Sequence, residues 1–232
     1  MIELRGVRKV YGRAVAVDRI DLTIGAGEMV GLIGHNGAGK STVLKMLAGQ
    51  LLPTEGTVHV GGVDVREDPA GARKKLGYVP EEPALYDYLT AREFLELVVA
   101  VRGGGDIEAA LELTGLGGDA DRLIREYSQG MRRKTALAAA VVSRPPVVVL
   151  DEALNGLDPP SAARVKAALR ALCDDGITVL LSTHILETVE RVAGRVVMLA
   201  HGRVVADEQM ADLGAEGLER MFLQRIAETA AG

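Results

Sequence analysis

The sequence predicts an α/β domain with a central, mainly parallel sheet, an antiparallel β portion at its N-terminal end and a helical insertion in its middle. Two observations carry this prediction. The apolar runs 147–150 and 178–181 are continuous, which is typical of parallel strands covered by helices on both faces. Helical patterns separate many of the strand-like segments, which are 3–10, 21–24, 29–33, 57–60, 76–79, 147–150, 178–182, 195–199 and 203–206.

The strand pattern is absent from the middle of the chain, where only helical patterns remain. There Thr90 and Glu93 have the spacing of a reciprocal capping box, and the glycines at 103–105 end the helix that they begin. The expected divisions are one domain over 1–232, an α/β core of 1–84 and 144–232, a helical subdomain of 85–143 and a closing helix from about 218 to 229.

The composition narrows the classes of function. With 27 Lys and Arg against 32 Asp and Glu, the net charge of −5 lacks the basic excess of a nucleic-acid-binding protein, so we expect no nucleic-acid partner. Cys173 is the only cysteine, which excludes an internal disulfide and favours a buried thiol. No apolar stretch approaches the ~20 residues of a membrane span, and the N-terminal residues lack a signal-peptide pattern, so we expect a cytosolic location.

A glycine-rich segment, GHNGAGKS at 34–41, fits the phosphate-binding pattern G-x-x-x-x-G-K-[ST] and lies between an apolar segment and a helical one. Its backbone N–H groups can turn inward around phosphate oxygens, and the next helix adds its positive N-terminal end. A plain glycine-rich turn, the alternative, would not need that strand and helix. The segment predicts a P-loop NTPase core that binds ATP and Mg²⁺ through Gly34, Asn36, Gly37, Ala38, Gly39, Lys40, Ser41 and Thr42, with Lys40 on the terminal phosphates and Ser41 on the metal.

Two acidic residues, Asp151 and Glu152, follow the apolar strand 147–150. In P-loop enzymes such a strand lies beside the one that leads into the phosphate loop. Asp151 is suited to hold Mg²⁺ through its water shell, and Glu152 to orient and deprotonate a water aimed at the γ-phosphate. An isolated Asp-Glu pair is more often a solvated turn, but the phosphate loop favours the catalytic interpretation.

The segment YSQGM at 127–131 precedes a helix for which Ser128 is the expected N-cap. Arg132, Arg133 and Lys134 crowd the first turn of this helix, although acidic residues are favoured at that end. A bound anion would explain this charge. A solvated basic face that points away from any ligand is the alternative.

Together these segments resemble an ATP-binding subunit of an ABC transporter, and the resemblance covers essentially the whole chain. The resemblance includes Tyr11, whose ring could stack on the purine base of the nucleotide. The alternative is that Tyr11 is a surface tyrosine at the end of a strand. The resemblance implies that Ser128, Gln129 and Gly130 form the signature motif, which binds the γ-phosphate held by a second copy. The segments that match this family in order and approximate spacing are Tyr11, 34–41, 127–131, 151–152, 155–158 and His184.

The same resemblance assigns roles near the end of the α/β core. It implies that His184 touches the γ-phosphate and positions the catalytic Glu152, whereas a lone histidine is more often structural. It also implies that residues 155–158 join the two nucleotide sites of a dimer. Asp158 is in addition the expected N-cap of a helix that starts with two prolines.

Two positions depart from the usual pattern of that family. Gln129 replaces a glycine of the signature, a variation associated with export-type subunits. Glu81 stands where a glutamine usually contacts Mg²⁺ and water, in a loop that links the site to the helical subdomain. We expect Glu81 to take part in magnesium coordination with an added negative charge. The alternative is that Glu81 only faces solvent in a flexible loop.

The expected function is ATP binding and hydrolysis that powers transport, with export favoured, through an integral-membrane permease on another chain. Two copies would close head to tail around ATP, and the chain would be cytoplasmic and peripheral on the inner face of the membrane. The groove near 82–88 is the expected permease docking surface. A soluble ABC ATPase that drives an assembly or scaffold process is the alternative. A non-hydrolysing regulatory module is disfavoured, because the acids and the histidine needed for turnover are present.

Overall fold

The computed structural model describes residues 1–213 and 217–230, which form two sheets and the helices packed on them. The strands are β1 (Ile2–Tyr11), β2 (Ala14–Ile24), β3 (Met29–Ile33), β4 (Glu55–Val60), β5 (Val63–Asp64), β6 (Leu76–Val79), β7 (Val147–Asp151), β8 (Thr178–Ser182), β9 (Arg195–Ala200) and β10 (Arg203–Gln209). The helices are α1 (Lys40–Leu47), α2 (Pro69–Lys74), α3 (Ala91–Arg102), α4 (Ile107–Thr114), α5 (Gln129–Val141), α6 (Pro159–Asp174), α7 (Leu186–Val192) and α8 (Gly217–Ala230).

The larger sheet is central and mainly parallel, as predicted. Its order is β10-β9-β3-β8-β7-β6, and β9–β10 is the antiparallel pair among the described strands of this sheet. Alternate residues of β7 enter two different hydrophobic clusters, one on each face of the sheet, so the strand is buried along its whole length. The carboxyl ends of β3, β6, β7 and β8 therefore meet at one edge, the usual place for a ligand in such sheets.

The smaller sheet is antiparallel, with the order β2-β1-β4-β5, and the predicted N-terminal β portion is confirmed. The prediction that β2 begins at residue 21 was wrong, because the strand begins at Ala14. The pairing of β2 with β1 shifts register around Val7 and Lys9, and Arg19 has a positive φ of 51°. These bulges interrupt the alternation of apolar and polar residues that a strand prediction needs.

Between β6 and β7 the chain is helical, with α3, α4 and α5 and two short 3₁₀ turns. The capping box is confirmed: the Glu93 N–H donates to Thr90 Oγ1 at 3.1 Å, and the Thr90 N–H donates to Glu93 Oε2 at 2.8 Å. Gly103 ends α3 with a φ of 84°. These helices share one hydrophobic cluster with the central sheet. The subdomain bounds at residues 85 and 143 stay a prediction.

Of two predictions on the rest of the chain, one is confirmed and the other is borne out in part. The closing helix is present as α8, and its Leu218 is fully buried beside the β9 region. The Cys173 thiol is half-buried rather than fully buried, and burial raises its pKa to about 11. Within residues 1–213 and 217–230, no helix combines the length and the apolar character needed to cross a bilayer.

Candidate active site

The phosphate loop, residues 34–41, connects β3 to α1 at the carboxyl edge of the central sheet. Gly34 has a φ of +153°, and a Cβ there would lie 2.3 Å from the Leu199 carbonyl oxygen. Gly39 has a φ of +106°, and its Cβ would lie 2.6 Å from the Ala16 carbonyl oxygen. A side chain fits at neither position, because left-handed backbone combines with close approach of another strand. The backbone of the loop thus packs directly against β9 at Gly34 and against β2 at Gly39.

Lys40 is buried, with 8% of its surface exposed. Its Nζ donates to the carbonyl oxygen of Gly34 at 2.6 Å and lies 3.4 Å from that of His35, so the side chain folds back over the loop. Burial lowers the pKa of Lys40, and the charges of Glu152, Asp151 and Glu81 act in the opposite direction. The ammonium group therefore faces the same space as three carboxylates.

Asp151 is the last residue of β7 and is 3% exposed. Burial raises the pKa of its carboxyl group; the nearby Ser182 and Ser41 hydroxyls lower it, and the charges of Glu81 and Glu152 raise it again. The contact with Ser41 joins the phosphate loop to the end of β7. A serine hydroxyl and a buried carboxylate are thus next to each other.

Glu152 has a positive φ of 49°, which few residues other than glycine adopt. Its N–H donates to the Ser182 carbonyl at 3.0 Å, which ties it to the end of β8. The amide of Asn155 donates to Glu152 Oε2 at 2.8 Å, and His184 Nδ1 lies 3.1 Å from both carboxylate oxygens. The Glu152 side chain is 12% exposed and that of His184 60%. This carboxylate is therefore held in place from two sides.

These groups surround one cleft of about 530 Å³. Glu81 reaches it because β6 runs parallel to β7 with Val79 opposite Leu150, so the residues after both strands emerge at the same edge. Gly34 is not among the residues that line the cleft. The lining residues are His35, Asn36, Gly37, Ala38, Gly39, Lys40, Ser41, Thr42, Glu81, Asp151, Glu152 and His184.

Tyr11 and the signature residues do not line this cleft. Tyr11 ends β1, is 48% exposed, and has the Lys9 ammonium 5.3 Å from its ring centroid. Ser128 and Gln129 are exposed, and Ser128 Oγ accepts the Met131 N–H at 3.3 Å, which confirms it as the N-cap of α5. The ligand contacts expected of Tyr11, Ser128, Gln129 and Gly130 stay predictions.

The basic side chains in the first turn of α5 are only partly paired with other groups of the described residues. Arg132 Nη1 donates to Asp87 Oδ1 at 2.7 Å, so one of its charges has an acidic partner. The Nε and Nη1 atoms of Arg133 are buried, and within the described residues they have no hydrogen-bond partner. A Cβ on Gly156 would lie 3.5 Å from Arg133 Nη1, which places the first turn of α5 beside residues 155–158.

Two features of the site were not predicted. His35 lines the cleft, and its ring lies 5.3 Å from that of His201, centroid to centroid. Asn155 binds the carboxylate of Glu152. The signal for His35 was its place inside the phosphate-loop pattern, and that for Asn155 was its distance of three residues from Glu152. The predicted N-cap at Asp158 is confirmed, because its Oδ1 accepts the Ser161 N–H at 2.9 Å.

The oxygen atoms in the cleft fit Mg²⁺. Within residues 1–213 and 217–230, no group of three or more His, Cys, Asp or Glu side chains could hold a metal ion by itself. Mg²⁺ prefers oxygen ligands, keeps several waters and binds substrate phosphates, so it does not need such a group. Ser41, Asp151 and Glu81 offer a hydroxyl and two carboxylates of the required kind.

A mainly parallel sheet with a phosphate loop and an Asp-Glu pair at its carboxyl edge defines a P-loop ATPase. Comparison with known proteins makes this more specific, because residues 17–155 match the ABC transporter family. The chain belongs to that family and is an ATP-binding, ATP-hydrolysing domain of it.

Two of the bacterial relatives illustrate the similarity in sequence. The chain is 34% identical over 217 residues to the bacitracin transport ATP-binding protein BcrA of Enterococcus faecalis, covering 92% of this chain and 70% of the relative. It is 40% identical over 218 residues to the daunorubicin/doxorubicin resistance ATP-binding protein DrrA of Streptomyces peucetius, covering 91% and 66%. The chain thus spans about two thirds of the length of these relatives.

Solved structures agree with the fold. An ATP-binding subunit of an ABC transporter superposes with a TM-score of 0.91 at 30% identity, covering 97% of this chain and 99% of that one. A dimeric ATP-binding cassette in a post-hydrolysis state, bound to ADP and Pi, superposes with a TM-score of 0.82 at 27% identity, covering 90% and 98%.

Proposed function

We propose that two copies of this chain bind and hydrolyse Mg·ATP between them, and that this cycle powers transport through a permease on a separate chain. The observation that carries the proposal is the placement of Lys40, Asp151 and Glu152 in one cleft. The dimeric cassettes among the solved relatives support the second copy.

Each residue of the cleft has a role in this proposal. The N–H groups of the phosphate loop and the Lys40 ammonium bind the β- and γ-phosphates, and Tyr11 stacks on the base. Ser41, Asp151 and Glu81 hold Mg²⁺, which when bound neutralises phosphate charge. Glu152 takes the proton of the attacking water.

Two further groups complete the site. His184 holds the Glu152 carboxylate in place at 3.1 Å and reaches the γ-phosphate. Ser128, Gln129 and Gly130 of the second copy bind the same γ-phosphate from the other side. Hydrolysis removes these contacts, so the dimer opens and the change of shape reaches the permease.

Export is the favoured direction, because BcrA is a bacitracin transport protein and DrrA a daunorubicin/doxorubicin resistance protein. The docking surface for the permease is the segment 82–88, where Tyr86 and Tyr88 are 61% and 79% exposed. Glu82 and Pro83 line a groove of about 220 Å³ there, together with Gln129, Arg132 and Arg133. The chain would then sit on the inner face of the membrane through this partner.

Isolation of the chain from its native membranes under gentle detergent tests the transport function. Co-purification of a polytopic membrane protein in stoichiometric amount is the expected result. Recovery with soluble partners alone would contradict the proposal and favour an ABC ATPase of an assembly process.

A further inference from the structure

The nucleotide cleft carries an excess of negative charge. Three carboxylates, Glu81, Asp151 and Glu152, line it with a single ammonium group, that of Lys40. His35 and His184 are the other titratable side chains of the lining. A triphosphate that enters without a metal ion adds about four negative charges to this space, so it meets net repulsion.

Glu81 differs from the other two carboxylates in its contacts within the protein. Asp151 is buried next to Ser41 and Ser182, and Glu152 is bound by Asn155 and approached by His184. Glu81 is exposed in a bend, and its carboxylate has no hydrogen-bond or ion-pair partner among the described residues. Its charge is therefore available to whatever enters the cleft.

The position of Glu81 is fixed by the sheet. Pro80 follows β6 directly, and β6 is paired in parallel with β7 along its whole length. The backbone that carries Glu81 therefore leaves the sheet beside Asp151. Glu81 lines the same cleft as Lys40 and Asp151, so its charge acts on both groups.

We infer that Glu81 is a specificity-determining residue that makes the site select Mg·ATP over metal-free ATP. This inference rests on the proposed function and assigns to Glu81 the rejection of the uncomplexed triphosphate. An uncharged glutamine offers the same oxygen to a metal ion without repelling phosphate. A carboxylate repels the bare triphosphate and attracts the cation that accompanies the complexed form.

The test compares the affinity of one hydrolysis-resistant ATP analogue in excess Mg²⁺ with its affinity in EDTA. Titration calorimetry gives both dissociation constants, at protein concentrations where the chain is monomeric. We expect Glu81→Gln to reduce the ratio of the metal-free to the Mg²⁺ dissociation constant by about tenfold, chiefly through tighter metal-free binding. Glu81→Asp, which keeps the charge, should retain most of the wild-type ratio.

Glu67→Gln is the matched control, because it removes the same charge from an exposed residue that does not line the cleft. An unchanged ratio in Glu81→Gln would overturn the inference. So would a ratio that falls only because the Mg²⁺ complex binds more weakly, since Glu81 would then act through the metal ion alone and would not repel the free triphosphate.

Lys40→Ala, measured in parallel, separates this inference from the proposed function. If Lys40→Ala binds the analogue as tightly as the wild type does, the cleft is not the nucleotide site and both statements fail. If Lys40→Ala loses binding while the ratio in Glu81→Gln is unchanged, only the role of Glu81 fails.

Discussion

The nucleotide cleft and the signature segment differ in how many of their polar groups find partners within one chain. In the cleft, Lys40 is bonded to the phosphate loop and Glu152 to Asn155. In the signature segment, Ser128 and Gln129 are exposed and lie outside that cleft, and Arg133 keeps buried N–H groups without partners among the described residues. One region is organised for a ligand by a single chain, and the other keeps more of its polar side chains exposed or without a partner among the described residues.

This difference is what a site shared between two copies requires. A loop that binds most of the nucleotide must be formed before the dimer closes, because it sets the affinity of the monomer. A surface that seals the nucleotide of another copy must stay open until then. Substitutions in the two regions should therefore change different measured properties, and those in the cleft should have the larger effects.

The largest effect is expected for Glu152→Gln. The amide keeps the shape of the carboxylate but cannot accept a proton, so turnover should fall by about 10²- to 10⁴-fold while ATP binding is retained. Phosphate release measured with a coupled assay checks the rate, and Glu187→Gln on the exposed face of α7 is the control. Turnover within about tenfold of the wild type would show that Glu152 is not the base.

Lys40→Ala should come next, with a loss of about 100-fold in the ATP affinity of the monomer, because a charged donor to the phosphates is removed. Titration of a fluorescent ATP analogue measures this loss. Lys45→Ala is the matched control, since Lys45 lies exposed in the same helix and outside the cleft. If Lys40→Ala and Lys45→Ala bound ATP with equal affinity, the claim that the cleft sets the ATP affinity of the monomer would be contradicted.

Gly130→Ala tests the other region and should act only in the dimer. A Cβ at Gly130 would lie 3.6 Å from its nearest neighbour, so the monomer should fold and bind ATP as the wild type does. The added methyl group would stand where the phosphate of the second copy approaches, and turnover should fall by about tenfold. Reduced ATP affinity in the monomer would contradict this division of roles. Gly118→Ala, at an open position, serves as the control.

The smallest effect is expected on the stability of the protein when the N-cap of α5 is substituted. Ser128→Ala removes the N-cap of α5 and should lower the free energy of unfolding by about 1 kcal/mol. Chemical denaturation measures this change. Ser128→Asn should restore most of it, because asparagine is an equally good N-cap. If the alanine variant is as stable as the wild type, the hydrogen bond to Met131 contributes nothing measurable.

The sequence predicted the parts of the molecule whose pattern is local. The continuous apolar run of β7, the phosphate-loop pattern and the caps at Thr90, Ser128 and Asp158 are each contained in a few residues, and the structure has all of them. The start of β2 was missed because bulges break its alternation.

Contacts between distant segments could not be predicted from local patterns. The hydrogen bonds around Glu152 depend on its positive φ and on the register of β7 with β8, which places His184 across from it. The ion pair of Arg132 with Asp87 joins residues 45 positions apart in the chain. It shows that part of the basic charge in the first turn of α5 has a partner inside the protein.

The proposed function depends most directly on the closure of two copies around ATP, with the phosphate loop of one facing the signature segment of the other. Cysteines introduced by Asn36→Cys and Gln129→Cys in a Glu152→Gln, Cys173→Ser background test this arrangement by disulfide crosslinking. We expect a covalent dimer that forms with Mg·ATP and not with ADP. Crosslinking that is absent with Mg·ATP, or equal with both nucleotides, would contradict it.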